Sequence, residues 1–366
     1  MRKAFRILLL PFAFFVVALT RLGVPLRFGE LFSGRIGHLV GNMEMYFCER
    51  AAGISNGWDI WYHRGEPCNV QAAKMIEREV VVGPAVFWEL CNVVSQLFSG
   101  WEKHHISTAQ VDRDIHNLLG KHPPTLRFTA EEERLGEKWL VLMGVPRGSK
   151  WVCLIVRDGA YLPGLQYHSY RDSDVETYTA AALALAAQGY YVFRMGAKVA
   201  KPWSAAKGGL LIDYATKHRS DFMDVYLTAK CEFAISNGCG LDAVCTAFRR
   251  PVVYCNYVPI EYLSTWNPGS LAIWKHHEKD GKRMTLAEIY ASGAGKFMRA
   301  DEFEEAGITL VDNTPAEITA VVREMVEPGS ETQEEFWKAF PRSSDGAPLH
   351  GDILMRIGRE FLKGYA

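Results

Sequence analysis

The stretch Cys231–Asn256, CEFAISNGCGLDAVCTAFRRPVVYCN, decides how the rest of the chain is read. CEFAIS is an apolar run of strand length, and NGCG interrupts it with two glycines. LDAVCTAFR then predicts a helix of about nine residues. PVVYCN is β-branched and aromatic, as a buried parallel strand is. In such a βαβ unit the turn after the first strand falls at the carboxyl edge of the sheet, where ligands of open α/β folds bind. Glycines let backbone N–H groups approach an anion, and the positive end of the next helix faces it. Ser236, Asn237, Gly238 and Gly240 are therefore the candidate phosphate cradle, with an ordinary tight turn as the plain alternative.

Upstream of this unit, KWVCLIVRD and YYVFRMG read as strands that end in Arg157 and Arg194. Between them lies an alanine-rich helix within YRDSDVETYTAAALALAAQG, closed by Gly189. Both arginines are expected in the crevice beside the glycine turn, where together they suit a diphosphate. A surface ion pair is the alternative for each. Arg171 is a weaker donor-side candidate, and Gly196 follows the second of these strands. Asp213 and Asp224 are candidates for a ribose or base contact, or for helix caps. Asp172-Ser173-Asp174 has the DxD form of a metal-holding motif, but the run reads better as a helix start with Ser173 and Glu176 as a capping box.

The first third opens a separate α/β series. PLRFGELFSGRIGHLVGNMEMYFCERAA predicts a strand over Leu26–Phe32, a loop at Gly34–His38, and a helix whose apolar face carries Leu39, Met43, Tyr46 and Phe47. WDIWYHRG and EREVVVGPAVF read as two further strands. FWELCNVVSQLF, residues 87–98, reads as an amphipathic helix. It packs as core or adds Trp88, Phe98 and Trp101 to a membrane- or acceptor-facing surface. Thr129 ahead of Glu132 signals a helix start, and Gly144–Lys150 reads as a hinge.

A length of 366 residues suits two domains, and 48% hydrophobic with 23% charged residues is ordinary for a globular chain. The net charge of −1 argues against a nucleic-acid binder. Eight cysteines without a CxxC pair fit a reducing compartment. His104-His105 and His276-His277 lack metal-site spacing and read as solvated. The run ILLLPFAFFVVAL follows Arg2, Lys3 and Arg6 and precedes Arg21. It is shorter than the ~20 apolar residues of a spanning helix and contains Pro11, so it predicts a helix lying on the cytoplasmic face of a membrane. A buried core helix is the alternative. The expected organisation is an apolar segment (1–24), two α/β domains (25–145 and 146–330), and C-terminal helices (331–366) that cross back to the first domain.

The segments SGRIGHLVGNMEMYFCE, VRDGAYLPG, YRDSDVETY, GYYVFRMG and DVYLTAKCEFAISNGCGLDAVCTAFRRPVVYCNYVP, in this order, resemble an otherwise uncharacterised family of bacterial glycosyltransferases associated with surface-polysaccharide synthesis. The resemblance runs from about Arg27 to Asn256 and on toward Pro328. It implies the GT-B arrangement, two Rossmann-like domains facing across a cleft, with the acceptor on the first and a nucleotide-sugar donor on the second. It further implies an inverting transfer without metal or cofactor to a glycan or lipid-linked acceptor; a location at the inner face of the cell membrane is expected from the apolar first segment alone. Within that frame His38 is the candidate base, since an imidazole takes a proton near neutral pH without special tuning. Glu44 and Asp158 are second choices, and Arg35, Gly37 and Asn42 fall on the acceptor side. Two other readings stay open. A nucleotide-sugar epimerase or other dinucleotide enzyme would show GxGxxG, whereas the glycines of SGRIGHLVG are spaced three and four apart. The other is a non-catalytic sugar- or nucleotide-binding scaffold at the membrane.

Overall fold

A computed structural model describes residues 2–106, 113–161, 164, 166–329, 333–344 and 346–365. Leu162 and Pro163 of the VRDGAYLPG segment, and part of the polar stretch after His105, lie outside the described residues.

Two parallel sheets organise the chain. The first has four strands in the order Val81–Val82, Trp58–His63, Leu26–Leu31, His105–Ile106. Helices Ile36–Ala51 and Val70–Glu77 pack on one face through Leu39, Met43, Trp61 and Met75. Helix Ala85–Ser95 covers the other face, where Cys91 and Val94 meet Phe28. Helix Arg2–Arg21 lies outside that helix, anchored by Ala13 and Val17. Among the described residues no helix is long and apolar enough to cross a membrane.

The second sheet has seven strands in the order Arg356–Ile357, Leu271–Trp274, Val252–Tyr257, Phe233–Ser236, Trp151–Ile155, Tyr191–Met195, Leu211–Ile212. Every neighbouring pair is parallel. The chain enters at Trp151–Ile155, runs outward to Leu211–Ile212, restarts at Phe233–Ser236 and runs outward the other way. That reversal opens a crevice beyond the carboxyl ends of the two central strands. Helices cover both faces, which is why these strands are apolar without alternation.

Several boundaries differ from the sequence reading. The third strand of the first sheet is only Val81–Val82, because Pro84 starts the next helix. The capping box of Thr129 and Glu132 forms as expected, but its helix, Ala130–Leu142, packs against helix Asp221–Lys230, with Lys230 Nζ 2.6 Å from Glu133. Leu140 belongs to the second core, so the chain joins that core ahead of the Gly144–Lys150 segment, and Val145 within the segment continues it. The tail helices Glu334–Ala339 and Arg359–Lys363 pack on the second unit, Phe336 and Phe361 against Trp274. What reaches back is the Asp352 N–H, which donates to Asn117 Oδ1 at 2.6 Å. His276 and His277 are buried rather than solvated, and His276 Nε2 sits 2.9 Å from Glu317.

Candidate active site in the interdomain cleft

The carboxyl ends of both sheets border one cleft of about 570 Å³. Helix Ile36–Ala51 forms one wall; the turns after Ile155, Met195 and Ser236 form the other. The walls meet where Gly37 lies against Gly240, so closely that a Cβ on Gly37 would fall 2.8 Å from the Gly240 Cα. These two glycines are backbone-contact positions between the domains. His38 was expected in a loop, but the helix begins at Ile36 and places it in the first turn. Its imidazole borders the cleft beside the Phe32 ring, 5.8 Å between centroids, with no hydrogen bond to another described residue.

The glycine turn spends the N–H groups of Gly238 and Cys239 on itself. Ser236 Oγ donates to Asp242 Oδ2 at 2.7 Å and accepts from Gly238 N at 3.1 Å. Cys239 N donates to the same carboxylate oxygen at 2.9 Å. The helix that follows is only Asp242–Ala247, and the acidic residue at its start already occupies the position expected for an anion. Burial raises the Asp242 carboxyl to about 6, against the opposing pull of Ser236 and Arg171. Asn237 is spent on structure as well, accepting from Arg157 N at 3.0 Å and donating to the Arg171 carbonyl at 2.8 Å. Ser236–Gly240 is thus a self-capped turn that positions Arg157 and Arg171.

Four other expected residues are engaged by partners within the protein, two of them, Asp158 and Glu44, in the lining of the cleft. Arg194 is 1% exposed and points into the core, with Nη1 3.3 Å from Asp213 and Nη2 3.5 Å from Asp158. Asp213 also accepts from Trp203 N and Thr216 Oγ1, so it holds the loop after Met195 rather than a ribose. Asp158 borders the cleft, but its oxygens accept from Ala160 N and Ala200 N at 3.2 and 2.7 Å. Glu44 is buried, accepts from Arg249 Nη2 at 2.9 Å and from Thr125 N at 3.2 Å, and ties the domains together. Burial raises its carboxyl, and Arg249 opposes the shift. Asn42 is buried away from the cleft. Asp224 does border it, held by Tyr214 Oη at 2.8 Å and Arg219 Nε at 3.0 Å, and burial raises it to about 6. Gly196 lines the same edge.

The DxD carboxylates diverge. Asp172 takes Arg157 Nε at 2.8 Å, whereas Asp174 takes Lys201 Nζ at 2.9 Å and the Glu176 N–H. Asp174, not Ser173, caps the helical turn; Ser173 Oγ donates to Asp312. Among the described residues no group of His, Cys, Asp and Glu could hold a metal ion.

What the cleft does concentrate is positive charge. Arg157 and Arg171 enter from the second domain, Arg35 from the first, and Lys198 stands at the rim. Among the described residues no carboxylate pairs with the Arg171 guanidinium, and its Nε is buried without an acceptor. His168 lies among these cations. Its pKa is lowered first by burial, then by the charges of Arg171, Arg157 and Arg35. It is therefore neutral at pH 7, and its buried Nδ1 has no hydrogen-bond partner. Nothing in QYHSYR marks His168 in sequence; only the packing of this 3₁₀ segment over the Arg157 turn brings it in.

No family model matches the chain. No curated protein matches it either. Solved structures to which it is similar include a family 9 glycosyl transferase from Veillonella parvula, at 10% identity and TM-score 0.40, covering 62% of this chain and 79% of that one. Another is the ADP-heptose lipopolysaccharide heptosyltransferase II of E. coli, at 13% identity and TM-score 0.38, covering 64% and 86%. A third is TibC, a dodecameric iron-containing glycosyltransferase of enterotoxigenic E. coli, at 12% identity and TM-score 0.41, covering 83% and 76%. These are remote likenesses.

Proposed function

We propose that the protein is a glycosyltransferase that moves a sugar from a nucleoside-diphosphate donor to an acceptor hydroxyl. The observation that carries this reading is the convergence of Arg35, Arg157 and Arg171, from both domains, around His168, which is half-buried with its Nδ1 shielded from solvent. Arg171, with no carboxylate partner among the described residues, together with Arg35 and Arg157 suits the negative charge that builds up on a departing nucleoside diphosphate. In this reading Arg157 and Arg171 bind the diphosphate, Arg35 closes on it from the first domain, and His168 Nδ1 accepts a hydrogen bond from a donor hydroxyl. His38, across the cleft, takes the proton from the acceptor hydroxyl. The oxygen attacks the anomeric carbon as the bond to the diphosphate breaks, and the electron pair leaves on the β-phosphate oxygen. Base and leaving group on opposite walls correspond to inversion.

A thermal-shift screen against UDP, GDP, CMP, ADP, dTDP and NAD tests the donor half. A ligand at about 100 times its dissociation constant stabilises the fold by about 2.7 kcal/mol. One nucleoside diphosphate should shift the transition. A shift with NAD alone would move the reading to the dinucleotide enzymes. With the donor known, His38→Ala should abolish transfer and leave nucleotide affinity within about twofold, as expected of a base that does not touch the nucleotide. Retained turnover removes His38 from the role.

A further inference from the structure

Between Ile7 and Leu19 helix Arg2–Arg21 carries only apolar residues, and the fold buries one side of them. Ala13 and Val17 are buried against helix Ala85–Ser95. On the opposite side Leu8, Phe12 and Phe15 recur at helical spacing and are 70%, 63% and 64% exposed. Phe5 and Ile7 extend this stripe toward one end, and Leu22 extends it toward the other. Leu97, 71% exposed, and Phe98 continue it just past the end of helix Ala85–Ser95, with the Phe98 ring 6.4 Å from Phe14. The result is one contiguous apolar surface on the side of the first sheet turned away from the cleft. Such a patch on a folded domain marks an interaction site.

We propose that this surface docks on an anionic lipid bilayer. Charge selects this occupant over a second copy or a protein partner. The helix sequence contains Arg2, Lys3, Arg6 and Arg21 and no acidic residue, a surplus of basic residues at its ends of which one, Arg6, pairs with Glu89 of helix Ala85–Ser95. The Arg21 guanidinium lies 5.2 Å over the Phe98 ring, at the border of the apolar patch. A helix apolar on its outer face and basic at its ends is the pattern that lies in a headgroup layer. Its 20 residues, about 30 Å long, then rest in the interface plane instead of crossing it. This inference is independent of the glycosyltransferase reading, since it uses none of the cleft residues.

Sedimentation of the full chain with phosphatidylcholine vesicles, with and without phosphatidylglycerol, tests it. Binding should require phosphatidylglycerol or be strongly enhanced by it, and should weaken as salt rises, because screening shortens the reach of the basic residues. Leu8→Glu with Phe12→Glu should reduce vesicle affinity by about tenfold or more. Both side chains already face water, so the unfolding transition and nucleotide binding of that variant should match the parent. No sedimentation with anionic vesicles, or equal sedimentation of parent and variant, overturns the proposal. Analytical ultracentrifugation without lipid supplies the other arm: concentration-dependent self-association abolished by the same substitutions would assign the face to a second copy instead.

Discussion

The floor of the second domain and the wall of its cleft use the same residue types to opposite ends. On the floor, Arg194 is matched by Asp213 and Asp158, and the turn after Ser236 is capped by Asp242. On the wall, Arg171 has no carboxylate among the described residues, Arg157 has one through Nε, and the charges of both reach His168. Both regions put arginine next to glycine-bearing turns at the same sheet edge. They differ in carboxylates: Arg194 and Arg171 each keep a buried Nε without an acceptor, but only Arg194 has carboxylate partners among the described residues. A buried arginine with two aspartates is part of the scaffold; a cleft arginine with no carboxylate partner among the described residues is the one we propose holds an anion.

Breaking the floor should cost the most. Arg194→Ala leaves Asp213 buried without its cation, and such losses run to about 3–5 kcal/mol of folding stability. Denaturant unfolding measures it, and the surviving folded fraction should bind nucleotide as before. Arg171→Ala should do the reverse. Stability stays within about 0.5 kcal/mol, while nucleoside-diphosphate affinity drops by about 1.5–3 kcal/mol, the value of a charge-assisted hydrogen bond. Calorimetric titration of both variants would erase the distinction if Arg194→Ala lost affinity and Arg171→Ala did not.

The smallest effect is a matter of pH. Asp242 is raised from 3.8 to about 6 in the folded protein, so the native state holds that proton more tightly than the unfolded chain. Its contribution is fully present below about pH 4 and is lost as pH rises through about 6. Partial exposure reduces this to on the order of 1–2 kcal/mol. Asp242→Asn should flatten the stability profile over that interval. An unchanged profile would mean that the turn is not held by a buried carboxyl.

Much of this architecture was legible in the chain. The strands around Cys153, Val192, Ala234 and Val253 are apolar without alternation because helices cover both faces, and that pattern alone marks a parallel sheet. Arg157 and the first-domain loop could be placed at the carboxyl edge because strand ends and glycines punctuate the sequence. Arg194 could not be told from Arg157, since both end apolar strands and their partners lie elsewhere in the chain. The turn misled for a similar reason. NGCG followed by a helix looks like an anion cradle until Asp242, six residues after Ser236, is seen turning back onto it.

The sequence by itself determined the two α/β series, the sheet edge at which chemistry can occur, and the apolar helix that precedes them. Those properties follow from local periodicity and turn chemistry, which neighbouring residues carry among themselves. Only the tertiary structure decided which charges are spent and which are free. Pairing energies depend on distance and burial between residues such as Arg249 and Glu44, 205 positions apart, or Arg194 and Asp213 in a common core. No local pattern encodes those distances. The same separation hid His168, whose neutrality is imposed by burial and by arginines from both domains.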